Sequence, residues 1–279
     1  SEGILSHNLG DVIIAQSVTH EIAGLFPGSH IQSIHTHTSI TSEDIDLAHQ
    51  GKLIFVGGTN LLGTRHLWKI TPIQAIQVGR AILFGVGWTA YEDRSTKLLY
   101  KLFLKSLISE KYIHSVRDEY TKKKLISIGI NNVINTGCPT MWPFAHVDTK
   151  AIIPKRKAKN VLVLLTDYRK NPVLDTALLK LLGSKYEKVF FWPQGAKDEI
   201  YIRSLGFPVE TIDRTMLAFE RFVESDIDFD YVGTRLHGGI KCLLSKRRSL
   251  IISIDNRAKE ISRDTGLPIC ERNKLDEIS

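Results

Sequence analysis

Short runs of apolar, largely β-branched residues recur along the chain, separated by longer stretches in which apolar positions fall every three or four residues. A brief run buried on both faces reads as a strand of a parallel sheet, and the helical period between runs reads as the crossover that returns the chain. In the first half this pattern predicts strands at 31–35, 53–56, 81–85, 113–116 and 133–135, with helices at 11–25, 42–50, 95–109 and 118–128. Several of these helices open on an Asp or Ser suited to capping. The period then breaks over 137–154, which carries three prolines. It resumes with strands at 161–165, 189–192, 209–212, 229–232 and 250–254, and helices at 173–185, 198–205, 215–224, 238–244 and 256–265. The expected organisation is a domain over 1–140, a linker over 141–158 and a second domain over 159–279. Two such doubly wound domains would leave a cleft at the carboxyl ends of their strands, where ligands of open α/β sheets bind.

Composition narrows the picture modestly. The 279 residues are 43% hydrophobic, enough for two cores. Apolar stretches such as 161–165 fall far short of the roughly 20 residues that cross a bilayer. No basic segment followed by an apolar one stands at the start, so a cytoplasmic location is expected. Cys138, Cys242 and Cys270 lack CxxC spacing and read as plain buried thiols. A net charge of +7 calls for an anionic partner, and nucleic acid, acidic lipid and a phosphorylated small substrate all satisfy it. The basic runs 122–124, 155–157 and 246–248 read as solvated faces. In helix 95–109, Lys97, Lys101 and Lys105 line one side opposite Leu98, Leu99, Leu102 and Phe103, which also suits the surface of an acidic membrane.

The chemistry concentrates in Gly233-Thr234-Arg235-Leu236-His237-Gly238-Gly239-Ile240, placed between an apolar strand and a helix. A helix start offers free N–H groups, and glycines let an anion approach the main chain. Arg235 adds a planar fork for carboxylate or phosphate, and His237 a group able to move a proton near neutral pH. The plain alternative is a strand-to-helix turn with a solvated arginine. Arg117 likewise follows a strand, and its plain alternative is a local ion pair with Asp118 that caps a helix. Asn8, Gly10 and Asp11 form a turn before a helix, with Asp11 as the cap or, with Asn8, turned toward a substrate. His30, His35 and His37 have no cysteine or suitably spaced carboxylate nearby, so no metal site is expected. Trp88, just past Gly85-Val86-Gly87, is the tryptophan placed to line a cleft, because loops after strands line such sites, with a core position as its plain alternative, and Arg94 is a neighbouring contact.

These landmarks, with Val56-Gly57-Gly58-Thr59, Ser115-Val116-Arg117-Asp118, Thr136-Gly137-Cys138-Pro139, Ile252-Ser253-Ile254-Asp255-Asn256-Arg257 and Gly266-Leu267-Pro268, resemble the polysaccharide pyruvyl transferase family across nearly the whole chain. The resemblance implies an α/β, GT-B-like fold: two Rossmann-like domains with parallel sheets facing a central cleft. It implies phosphoenolpyruvate as donor and a hexose or hexosamine as acceptor, in an exopolysaccharide, capsule or lipid-linked precursor at the inner face of the plasma membrane. No metal, no further cofactor and no nucleic acid is expected. Carried over by motif, Arg117, Arg235 and His237 would lie in the donor pocket; beside them Leu236 and Gly238 are expected to bind the donor, His237, Arg235 and Asp11 to be catalytic, and Arg117, at the end of its strand, to face Arg235. Asn8, Gly58, Thr59, Asn60, Trp88 and Arg94 would meet the acceptor. The sequence departs from the family where a third glycine often stands, at Thr59. The competing readings are a GT-B-type nucleotide-sugar glycosyltransferase, for which no ribose-binding acid is evident, and a carbohydrate-binding module without activity.

Overall fold

The structure, a computed structural model, describes residues 8–63, 67–92 and 96–278, without the side chain of Lys150. Two compact units emerge, each α/β with parallel strands: residues 14–142 with 263–265, and residues 8–13 with 143–262 and 266–278.

Through the first half the chain runs α1 (Leu9–Leu25), α2 (Ser42–Gln50), β1 (Phe55–Gly57), α3 (Pro72–Val78), β2 (Ile82–Phe84), α4 (Leu98–Leu107), β3 (His114–Val116), α5 (Glu119–Ser127) and β4 (Val133–Asn135). β1 pairs with β2 and β3 with β4, both in parallel. The two pairs are joined where the Gly85 N–H donates to Ser115 O at 2.9 Å and the Arg117 N–H to Val86 O at 3.1 Å. Val56, Leu83, Val86, Val116 and Leu125 fill this core together with Leu104 and Leu107 of α4. Local chemistry agrees with these elements: Thr41 with Asp44, and Thr71 with Gln74, form reciprocal caps at the starts of α2 and α3.

The second half contains α6 (Thr149–Ile152), β5 (Asn160–Leu164), α7 (Pro172–Lys185), β6 (Val189–Phe191), α8 (Asp198–Ser204), β7 (Glu210–Thr211), α9 (Met216–Val223), β8 (Phe229–Gly233), α10 (Leu236–Leu244), β9 (Ser249–Ser253), α11 (Asn256–Thr265) and β10 (Ile269–Glu271). The strands form one all-parallel sheet in the order β10-β9-β8-β5-β6-β7. Val161, Val163, Phe191, Val232 and Ile252 pack against Leu178, Leu179 and Leu182 of α7 beneath it.

The structure departs from the expected elements at residues 31–35, at α3 and at β10. Residues 31–35 form no strand: Ile31 and Ile34 are half-buried, but no neighbouring strand takes up the backbone, and alternation without a partner ladder does not make a sheet. α3 and β10 were not foreseen. α3 is a seven-residue helix that turns Ile73 and Ile76 outward, and β10 is three residues long, so neither carries a periodic signal. In α4, Leu98 and Leu99 are 68% and 80% exposed, while Leu104 and Leu107 are the buried pair.

Candidate active site

The order of the six-stranded sheet reverses between β5 and β8: from β5 the chain builds outward through β6 and β7, and from β8 outward through β9 and β10. In open α/β sheets such a reversal is where the crevice that takes ligands forms, outside the carboxyl ends of the two central strands. Gly233 ends β8 opposite Leu164, and a Cβ on it would come within 2.8 Å of the Leu164 nitrogen, so the two strands meet only because that side chain is absent. Past it, Thr234 donates its N–H to Leu164 O at 2.8 Å and accepts from the Thr166 N–H at 3.0 Å. α10 then begins at Leu236 with no side-chain cap, presenting its start to the crevice. His237 and Gly238 are its second and third residues, both buried.

Arg235 lies at this point, 4% exposed. Its guanidinium is not the open fork that the sequence suggested. Nε donates to Asp198 Oδ2 at 2.9 Å, and Nη2 to Asp198 Oδ1 and to Asp167 Oδ1, the latter at 3.2 Å. Nη1 has no partner among the described residues. Asp198, the first residue of α8, is fully buried and also accepts from the Gly195 N–H at 2.6 Å and the Asp167 N–H at 3.0 Å. Burial pushes its carboxyl above the ordinary range, while the Arg235 charge and the two N–H groups pull it down. The Tyr168 ring lies 5.1 Å from the guanidinium carbon. Gly195 is required here, since a Cβ would fall within 2.9 Å of Asp198 Oδ1 and closer still to Arg235.

Asn8 joins this same unit. Its Oδ1 accepts from the Gly10 N–H at 3.2 Å and from Gln194 Nε2 at 2.9 Å, and it bridges Gly195 in antiparallel fashion. Because α1 starts at Leu9, the side chain meeting its first turn is that of Asn8, and Asp11 sits inside the turn with its N–H on Asn8 O at 3.1 Å. The expected cap at Asp11 is thus displaced by three residues. Asp167, Gln194 and Asp198 were missed from sequence. The signal for Gln194 was Trp192-Pro193-Gln194-Gly195, a polar, glycine-bearing stretch just past a buried strand; the sequence pattern gives only a strand ending at Trp192 and a helix opening at Asp198, and assigns no role to the residues between.

In the other unit Arg117 is 1% exposed, with Nε on Asp118 Oδ2 at 3.2 Å and Nη2 on Asn60 Oδ1. Asp118 caps α5 through the Thr121 N–H at 2.7 Å, and the Thr121 hydroxyl accepts from the Trp88 N–H at 2.8 Å. The local ion pair and the cap are therefore both real. Gly87 leaves room for the arginine: a Cβ there would lie 2.6 Å from Nη2. Trp88 is 0% exposed and meets Tyr100 edge-on, which leaves no ring face for a pyranose. Gly58 is buried under Ile14, and Thr59 holds φ at 146°, a conformation suited to glycine. Arg94 lies outside the described residues.

A family model for polysaccharide pyruvyl transferases matches residues 8–215, well over half of the 279. The chain belongs to this family. The match takes in Asn8, the Arg117 network, Gln194 and Asp198, and ends before Arg235 and His237. No curated protein and no solved structure matches the chain. Membership makes the protein a pyruvyltransferase of polysaccharide biosynthesis. Each unit thus carries a buried arginine paired with a buried aspartate against a bare glycine: Arg117, Asp118 and Gly87 in one, Arg235, Asp198 and Gly195 in the other. No helix among the described residues is long and apolar enough to cross a membrane.

Proposed function

We propose that the protein is a ketal pyruvyltransferase that takes its pyruvyl group from phosphoenolpyruvate and joins it to two hydroxyls of a hexose or hexosamine in an exopolysaccharide, capsule or lipid-linked precursor. The observation that carries the reading is Arg235, immobilised by two carboxylates at the uncapped start of α10 with Nη1 unengaged. A preorganised guanidinium beside helix N–H groups suits a small, multiply charged anionic donor, because its dipoles need no reorganisation when charge shifts onto the departing phosphate. Leu236 and Gly238 contribute main chain, and His237 moves the proton.

The chemistry balances without an external redox partner. The donor's methylene carbon gains a proton, the adjacent carbon takes the first sugar hydroxyl, and that hydroxyl loses its proton. The second hydroxyl then displaces phosphate, which leaves with the second proton, and the cyclic ketal closes. Incubation with phosphoenolpyruvate and a panel of glycans should add the mass of a ketal-linked pyruvate to one of them and release phosphate in equal amount. His237→Ala should abolish that gain while the protein stays folded; an unaltered rate would remove His237 from the reaction. A melting temperature that rises with nucleotide sugars and ignores phosphoenolpyruvate would favour a glycosyltransferase.

Acceptors built on lipid carriers require access to a membrane surface. The solvent-facing Leu98 and Leu99 of α4, beside exposed Lys97 and Lys105, support contact with acidic lipid. Pelleting with vesicles regardless of their anionic content would argue against that contact.

A further inference from the structure

Four buried polar atoms at the carboxyl edge of the six-stranded sheet lack a hydrogen-bond partner among the described residues: Thr166 Oγ1, Gln194 Oε1, Ser253 Oγ and Asn256 Nδ2. All four residues are more than nine-tenths buried. Thr166 stands two residues past Leu164, and Arg235 two past Gly233, with which Leu164 pairs. Gln194 stands three past Phe191, opposite Val163, and Ser253 two past Ile251, opposite Gly233. They therefore leave the sheet at one level, around the start of α10. Buried polar groups are ordinarily satisfied, so such a row marks where ligand groups complete the bonding.

Gln194 allows a sharper statement, because its amide orientation is fixed. Asn8 Oδ1 accepts from the Gly10 main-chain N–H, so it must be the oxygen, and the Gln194 atom that donates to it must be Nε2. The other amide atom, Oε1, is then an acceptor. It points at the first turn of α10, where a Cβ on Gly238 would stand 3.0 Å away. An acceptor in that position requires a ligand O–H or N–H. Phosphoenolpyruvate above neutral pH offers only acceptor oxygens, since its carboxylate and phosphate are ionised. A sugar offers hydroxyls.

We propose that Gln194 Oε1 receives a hydrogen bond from a hydroxyl of the acceptor sugar, which makes Gln194 a specificity-determining residue of the six-stranded unit. The assignment rests on the phosphoenolpyruvate-dependent reading above. The Asn256 amide, whose orientation no hydrogen bond fixes, can serve a donor or an acceptor on the ligand. Thr166 and Ser253 can serve either kind.

The test uses the full chain at pH 8 with Gln194→Met, which keeps the length of the side chain and removes the amide, both the carbonyl and the N–H on Asn8 Oδ1, so it is the deoxy-sugar series that isolates the carbonyl. The KM for the acceptor should rise roughly tenfold, with the KM for phosphoenolpyruvate held within about twofold. An unchanged melting-temperature shift on adding phosphoenolpyruvate shows that the variant is folded. A series of monodeoxy acceptors gives the second readout. One analogue should cost the wild type about tenfold in kcat/KM and cost Gln194→Met nothing further. Equal losses in both proteins for every analogue, or a rise confined to the KM for phosphoenolpyruvate, overturn the assignment. A wild type that transfers no pyruvyl group removes the underlying reading and this assignment with it, whereas transfer indifferent to Gln194 removes only the latter.

Discussion

Asp198 accepts four hydrogen bonds, from Nε and Nη2 of Arg235 and from the Gly195 and Asp167 N–H groups, with no exposure to solvent. Removing one partner of a buried pair strands the other charge, which typically costs about 3–5 kcal/mol. Asp198→Ala is accordingly expected to lower the urea-unfolding free energy by roughly that amount. Asp198→Asn, which keeps the shape, should lose less. Equal stabilities for Asp198→Ala and the wild type would show that the guanidinium does not depend on this carboxylate. Thr59 presents the reverse case. At φ 146° its Cβ is strained, and the N–H of Gly87 bonds to its carbonyl at 2.9 Å, so the backbone cannot easily relax. Thr59→Gly should stabilise the protein by about 1 kcal/mol in the same experiment, and a loss of stability would mean that the side chain is needed more than the strain costs. Arg235 and His237 were evident in the sequence because a glycine-rich turn after an apolar strand is a local pattern. The partner of Arg235 was not, because Asp198 lies 37 residues earlier and only the sheet brings it close.

β2 and β3 are joined partly through a side chain. The Leu83 N–H donates to His114 Nδ1 at 3.2 Å, so that nitrogen is the acceptor and Nε2 carries the proton toward Ser109 O at 2.8 Å. Burial holds the imidazole below its ordinary value of 6.5, opposed by the Ser109 carbonyl. The unfolded chain therefore takes up a proton as pH falls through about 6.5 while the folded one does not, and stability that is complete above that value declines below it. The decline approaches about 1.4 kcal/mol per pH unit at most. Urea midpoints measured from pH 7.5 to 5 should fall in the wild type and flatten in His114→Gln; parallel curves would exclude His114 as the source. Most elements were legible: α2, α11 and β4 fall on their predicted spans, each with a clear apolar run or cap. Residues 31–35 were misread because a strand is made by its neighbour, and a seven-residue helix such as α3 offers too few turns for a period to show.

The whole chain carries a net charge of +7, and its proposed donor is strongly anionic. Attraction between them is screened by salt, so the KM for phosphoenolpyruvate should rise several-fold between about 0.05 and 0.5 M NaCl while the KM for a neutral acceptor stays nearly level. Equal responses of both constants would point away from charge steering. Alternating strands and helices, and hence parallel sheets, could be read from hydrophobic spacing alone, because burial on both faces demands continuous apolar runs whatever the strand order. Motifs placed the basic and proton-carrying groups at strand ends for the same local reason. Strand order was beyond reach: hydrogen bonds between β5 and β8 link residues almost seventy positions apart, and no local pattern encodes them. That pairing sets the reversal in the sheet, draws Asp167 and Asp198 onto Arg235, and turns Gln194 toward α10. Residue types were thus a property of the chain, while the company each residue keeps, and with it the charge and polarity of the site, was decided by long-range packing.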